Sequence, residues 1–175
     1  MLNSHAFSPV TRGRALTGVA LTIALGGLAL LSNGAQAQPF GPFESFLGDW
    51  KGAGQIVVAN KGAEQIRCRA KYTTSADGRS LSQSLLCASD SYRVDIHSFA
   101  VADAQDVQGH WEEATRQVSG RLIGRVAGGR LEGNVTGPTF TAAMSLSAGS
   151  GKQTIVIVPQ GGDISRVSIA LSRSD

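Results

Sequence analysis

Ile66-Arg67-Cys68-Arg69-Ala70-Lys71-Tyr72, then the turn Ala76-Asp77-Gly78-Arg79, then Leu81-Ser82-Gln83-Ser84-Leu85-Leu86-Cys87, is the stretch that decides the fold. In its first part Ile66, Cys68, Ala70 and Tyr72 alternate with Arg67, Arg69 and Lys71. That is the period of two of a strand with one apolar and one solvated face. Asp-Gly is a favoured centre for a two-residue type I′ hairpin. In that register Ala76 opposes Arg79, and the same count sets Cys68 opposite Cys87. Opposed Cα atoms lie about 4.5–5.5 Å apart, which a disulfide can bridge. A structural disulfide is expected. No C-x-x-C spacing suggests redox exchange, and no further Cys or His stands nearby to complete a metal site.

Working outward, apolar faces with the same alternation recur along the chain. They run through Trp50, Ile56 and Val58; Tyr92, Val94 and Ile96; Val107 and Trp111; and Val118, Leu122 and Val126. Leu131 and Val135, then Phe140 to Leu146, Ile155 and Ile157, and Val167 to Leu171 complete ten candidate strands. A hairpin must keep its inward face inward, so turn length constrains which residues pair. A three-residue loop Asn60-Lys61-Gly62 pairs Ile56 with Ile66, and Ser89-Asp90 pairs Cys87 with Tyr92. Gly128-Gly129 pairs Val126 with Leu131, Gly137-Pro138 pairs Val135 with Phe140, and a loop over Asp103–Asp106 sets His97 opposite Glu112. Apolar meets apolar at the first four. The expected fold is all-β: a soluble up-and-down antiparallel meander barrel of 8–10 strands, closed so that no edge is exposed. An outer-membrane barrel is disfavoured, because the charged faces would have to line the lumen and aromatic girdles are missing.

Residues 1–37 read as a secretory signal, cleaved to leave a single domain over 38–175. Arg12 and Arg14 form the positive start, Ala15 to Leu31 is uncharged and mostly apolar, and Ala35-Gln36-Ala37 offers a small-residue cleavage site. The whole chain has 175 residues, 16 basic and 13 acidic, for a net charge of +3. Losing Arg12 and Arg14 with the leader brings 16 basic residues down to 14 against 13 acidic ones, a net charge of +1. The basic character therefore gives no ground for nucleic-acid binding. The reading implies a periplasmic or secreted bacterial protein with no membrane attachment after cleavage, in a compartment that permits the disulfide.

Ahead of the first strand stands Phe43-Glu44-Ser45-Phe46-Leu47-Gly48-Asp49-Trp50-Lys51-Gly52-Ala53-Gly54. Phe43, Phe46 and Leu47 have the spacing of a single helical turn that would plug one end of the barrel. Gly48-Asp49-Trp50 matches the G-x-W of lipocalins, and the longer Leu47–Gly54 stretch resembles the opening of the nitrobindin-like, ten-stranded relatives among the calycins. The resemblance implies that a basic residue of the last strand, Arg173, packs on Trp50, so Gly48, Trp50 and Arg173 form a structural motif. Nitrobindin relatives bind haem through a late histidine. This chain has none after His110, so that activity is not carried over and no cofactor is expected. His97 and His110 fall on the outward register, and no metal site is assigned to them.

No G-x-S-x-G, phosphate loop, H-E-x-x-H or dinucleotide fingerprint occurs. No catalytic residue is nominated, and an enzyme is the least favoured class. The first functional expectation is a carrier or sensor for a small apolar ligand held inside the barrel. Trp50, Tyr72, Tyr92, Trp111, Phe140 and Met144 are its candidate lining, and inward Gly52, Gly54, Gly109, Gly120, Gly124 and Gly133 leave space. The alternative is a periplasmic protein-interaction module. The chain resembles, more faintly, the small periplasmic metalloprotease inhibitors, whose N-terminal segment corresponds to the Gln38–Pro42 arm. Oligomeric state is left open.

Overall fold

The computed structural model describes residues 41–174. The leader reading over residues 1–37 and most of the 38–42 arm lie outside them. A 3-10 turn, Glu44–Phe46, precedes ten strands: β1 (Gly48–Val58), β2 (Gly62–Thr74), β3 (Ser80–Ala88), β4 (Arg93–Asp103) and β5 (Asp106–Glu113). The second half holds β6 (Val118–Ala127), β7 (Arg130–Thr136), β8 (Thr141–Gly149), β9 (Lys152–Gln160) and β10 (Ile164–Arg173). Each strand pairs antiparallel with the next, and β1 pairs with β10 to close the barrel. This is the expected meander, and closure satisfies every strand edge. Apolar side chains face in and charged ones out: along β2, Ile66, Cys68, Ala70 and Tyr72 are buried while Arg67, Arg69 and Lys71 are exposed. A lipid-facing barrel needs the reverse. Among the described residues no helix is long and apolar enough to cross a membrane.

Cys68 faces Cys87 across β2 and β3, and the two form a disulfide with Cα atoms 4.2 Å apart. The register is the expected one, but the turn is of another kind. Gly78 has φ +68 and Asp77 is not among the residues with positive φ, which excludes type I′. Instead the Gly78 N–H donates to the Ser75 carbonyl, and the Asp77 carboxylate accepts the Arg79 N–H. Asp77 is stabilised here as a local acceptor rather than by a left-handed backbone. Gly128-Gly129, with φ +55 and +74, is the two-residue turn expected, and Val126 pairs with Leu131. His97 opposes Glu112 as anticipated.

Three registers differ from expectation by two residues. Val58 pairs with Gly62, so Ile56 opposes Glu64 and Ile66 opposes Gly54. Cys87 opposes Val94, and Val135 opposes Ala142. At the last two, the chain reverses farther along: the Ser89 N–H donates to the Tyr92 carbonyl and the Gly137 N–H to that of Phe140. The Ser89 hydroxyl, accepting the Tyr92 N–H at 2.9 Å, helps fix the first of these turns. A slip of two leaves every side chain on its predicted face.

One end of the barrel is sealed. Phe43 and Phe46 are wholly buried, and the 3-10 turn is closed by Phe46 N–H to the Phe43 carbonyl and Leu47 N–H to that of Glu44. Trp50 donates its indole N–H to the Phe46 carbonyl at 2.7 Å. Arg173, opposite Trp50 in the β1–β10 ladder, lies over the indole with its guanidinium carbon 4.6 Å from the ring centroid. Its Nη1 also donates to the Leu47 carbonyl at 2.6 Å. Gly48 has φ +105, and a Cβ there would stand 2.6 Å from that same nitrogen. The glycine of the G-x-W thus permits both the backbone turn and the arginine's approach.

Candidate functional site: the barrel interior

Above the sealed end the interior is not filled. A cavity of about 230 Å³ is lined from the floor (Tyr72, Leu81, Leu131) to the mouth (Phe140, Pro159, Ile164). Four of the six expected residues line it: Tyr72, Trp111, Phe140 and Met144. Phe140 tilts against Trp111 with ring centroids 5.7 Å apart. Trp50 and Tyr92 are not part of the lining. Trp50 carries the first inward side chain of β1 and belongs to the seal, and Tyr92 lies in the β3–β4 turn.

The inward glycines do not create the space. A Cβ on Gly52, Gly54, Gly109, Gly120, Gly124 or Gly133 would meet a carbonyl oxygen of the adjacent strand at 1.7–2.4 Å. These positions allow the strands to coil tightly against one another, and none borders the cavity.

The lining is apolar except on one wall. Tyr72 opposes Gln83, Gln83 opposes Ser98, and Ser98 opposes Trp111, so four neighbouring strands, β2 to β5, carry one continuous inward row. All four residues border the cavity. The Ser98 hydroxyl donates to Gln83 Oε1 at 2.9 Å. The Tyr72 hydroxyl and the Trp111 Nε1–H are buried and find no hydrogen-bond partner among the described residues. Burial also pushes the Tyr72 phenol well above its ordinary pKa, keeping it protonated. Gly120, next in the row, has no side chain to cover the indole nitrogen: a Cβ there would lie 2.8 Å from it. Sequence reasoning selected the aromatics and passed over Gln83 and Ser98. Their signal was parity, since Gln83 sits between Leu81 and Leu85 and Ser98 follows Ile96 on the inward register.

Two other buried polar residues lie off the lining. Gln153, 1% exposed, has neither amide atom hydrogen-bonded among the described residues. Glu113, on β5 beyond Trp111, accepts the N–H groups of Asp95, Thr115 and Arg116 and the Thr115 hydroxyl. Desolvation alone would raise its pKa. These hydrogen bonds outweigh it and bring the value down to about 2. The carboxylate is a structural anchor for the β5–β6 turn. On the outer face, His97 Nε2 lies 3.2 Å from Asp95 Oδ1, and His110 packs against Phe99 at 5.8 Å between centroids. Among the described residues no three potential metal ligands gather at either.

No family model and no curated protein matches the chain. Solved structures do match in fold. The crystal structure of Rv2717c from M. tuberculosis superposes with a TM-score of 0.61 at 11% identity, covering 77% of this chain and 98% of that one. The S-type phycobiliprotein lyase CPES from Guillardia theta gives 0.55 at 11% identity, covering 76% and 90%. The chain therefore shares its overall fold with these proteins.

Proposed function

We propose that this protein is an exported, non-enzymatic, lipocalin-like carrier or sensor that holds one small apolar ligand inside its barrel. The observation that carries the reading is the cavity of about 230 Å³, apolar over most of its lining, with a sealed floor and a mouth at the Phe140, Pro159 and Ile164 end. An apolar cavity of about 150 Å³ takes benzene, so this one suits a molecule of one or two fused rings or a short branched chain. Burying such a ligand gains about 25 cal/mol per Å² of apolar surface removed from water. Export is supported by the Cys68–Cys87 disulfide, which persists in oxidising compartments. Native mass spectrometry of protein purified without detergent or denaturant tests the reading. A stoichiometric small-molecule adduct, removed by organic extraction, is expected; a bare protein mass with no gain in melting temperature on adding apolar compounds contradicts it.

A further inference from the structure

The outer surface of the barrel gathers positive charge on one wall. Lys51 on β1 opposes Arg69 on β2, and Arg67 and Lys71 stand two residues to either side of Arg69, about 7 Å away. All four side chains are exposed. Lys71 has Asp49 at 3.9 Å. Among the described residues, Lys51, Arg67 and Arg69 have no carboxylate within ion-pair reach. The flanks add none, because the neighbouring outward residues are Ser84, Leu86 and Ala88 on β3 and Ser168, Ala170 and Ser172 on β10. Four cations against the single carboxylate of Asp49 leave the outward face of β1 and β2 at a net +3.

A wall that serves only solubility mixes both signs. The outward faces of β4 and β5 do so: Asp95, Asp103 and Asp106 lie beside His97, Arg79 and Arg125. The β1–β2 wall keeps one sign across two strands, which makes it a field directed at an anionic partner. Its cations are long and exposed, and no buried polar group fixes one anion among them, so they suit several anions spread over a plane. A second copy of this chain is a poor match, because those three aspartates are already paired. We propose that the outward face of β1 and β2 docks reversibly on an anionic phospholipid surface through Lys51, Arg67, Arg69 and Lys71. The contact is electrostatic, with no segment inserted, and it lies on the side of the barrel, leaving the mouth at Phe140, Pro159 and Ile164 uncovered. Apolar molecules collect in bilayers, so the contact brings a carrier to its ligand's reservoir. The proposal stands on the charge of the wall and not on the cavity.

Vesicle flotation tests it, with vesicles of phosphatidylcholine alone and of equal parts phosphatidylcholine and phosphatidylglycerol. The protein should float with the mixed vesicles at low salt, stay behind with phosphatidylcholine, and be released as salt rises. Each cation near an anionic surface is worth about fivefold in binding constant, so Lys51→Gln/Arg67→Gln/Arg69→Gln should bind roughly a hundredfold more weakly. Arg121→Gln/Arg125→Gln/Arg166→Gln removes the same charge from other strands and should bind nearly as the unmodified protein does. Should the first triple variant fail to fold, Lys51→Gln alone should show the fivefold loss. No flotation with mixed vesicles, equal flotation with both kinds, or the same loss in the two triple variants overturns the proposal. Self-association in sedimentation that disappears in the first triple variant assigns the wall to a second copy and overturns it as well. None of these outcomes bears on whether the cavity binds a ligand.

Discussion

Two walls of one barrel obey the same alternation and yet present different chemistry. On β2 to β5 one inward row is Tyr72, Gln83, Ser98 and Trp111. On β7 to β10 the corresponding row is Gly133, Met144, Ile157 and Val167. The second row shows what packing alone requires of an inward position, and the first departs from it four times in succession. The walls are also held differently. The apolar wall relies on close-packed side chains such as Leu146 and Ile155, both nearly inaccessible. The polar wall has additional ties: the Cys68–Cys87 disulfide joins β2 to β3, and Glu113 binds β5 to the Asp95 N–H of β4. A wall with polar groups facing an apolar space gains less from burial, and covalent and charge-assisted ties offset that.

The contrast can be broken at several points. The largest expected effect is on the apolar wall: Leu146→Ala should lose roughly 3–5 kcal/mol, the transfer and cavity terms together, measured by urea unfolding. On the polar wall the same assay should show two dependences that packing does not produce. Glu113 has a folded-state pKa lowered from 4.5 to about 2. Its contribution is therefore complete above about pH 4.5 and lost as pH falls toward 2, by on the order of 3 kcal/mol. Glu113→Gln should be less stable at neutral pH and flatter across that window. Reducing the disulfide, which closes a loop with a sequence separation of 19, should remove about 3 kcal/mol. If either tie proves silent, the two walls are held alike.

The smallest effect has the opposite sign and sharpens the comparison most. Tyr72→Phe removes a buried hydroxyl that has no partner among the described residues. It should stabilise the ligand-free protein by about 0.5–1 kcal/mol and raise its melting temperature slightly. A loss of stability would mean that the hydroxyl finds a partner within the fold.

Much of this architecture was legible in the residues, for a physical reason. Side-chain parity in a strand survives any register error of two, so faces were readable even at the β1–β2, β3–β4 and β7–β8 turns, where pairings were not. Those turns fall elsewhere because local bonds, such as that from the Tyr92 N–H to the Ser89 hydroxyl oxygen, choose the reversal point, and residue type alone does not reveal them. Asp77-Gly78 carried the right register with the wrong backbone, since a longer loop of the same parity leaves the pairing unchanged. At the site, the bulk of an inward side chain picked out Tyr72, Trp111, Phe140 and Met144, which border the cavity. It also selected Trp50 and Tyr92, because height along the barrel axis is not encoded in alternation. Gln83 and Ser98 were readable by parity but hidden by the assumption that a core position is apolar. The inward glycines misled for a related reason: absence of a side chain leaves space only where the neighbouring strand does not close in.

The proposed function stands on an enclosed apolar space that takes one ligand. Its most direct test is a calorimetric titration of isopropenylnaphthalene into the unmodified protein and into Ala100→Phe, whose added ring would occupy the cavity beside Ala100. A single site with a negative heat-capacity change, abolished in Ala100→Phe that retains its β-sheet circular dichroism, is expected. No binding to the unmodified protein, or undiminished binding to the folded variant, would contradict it.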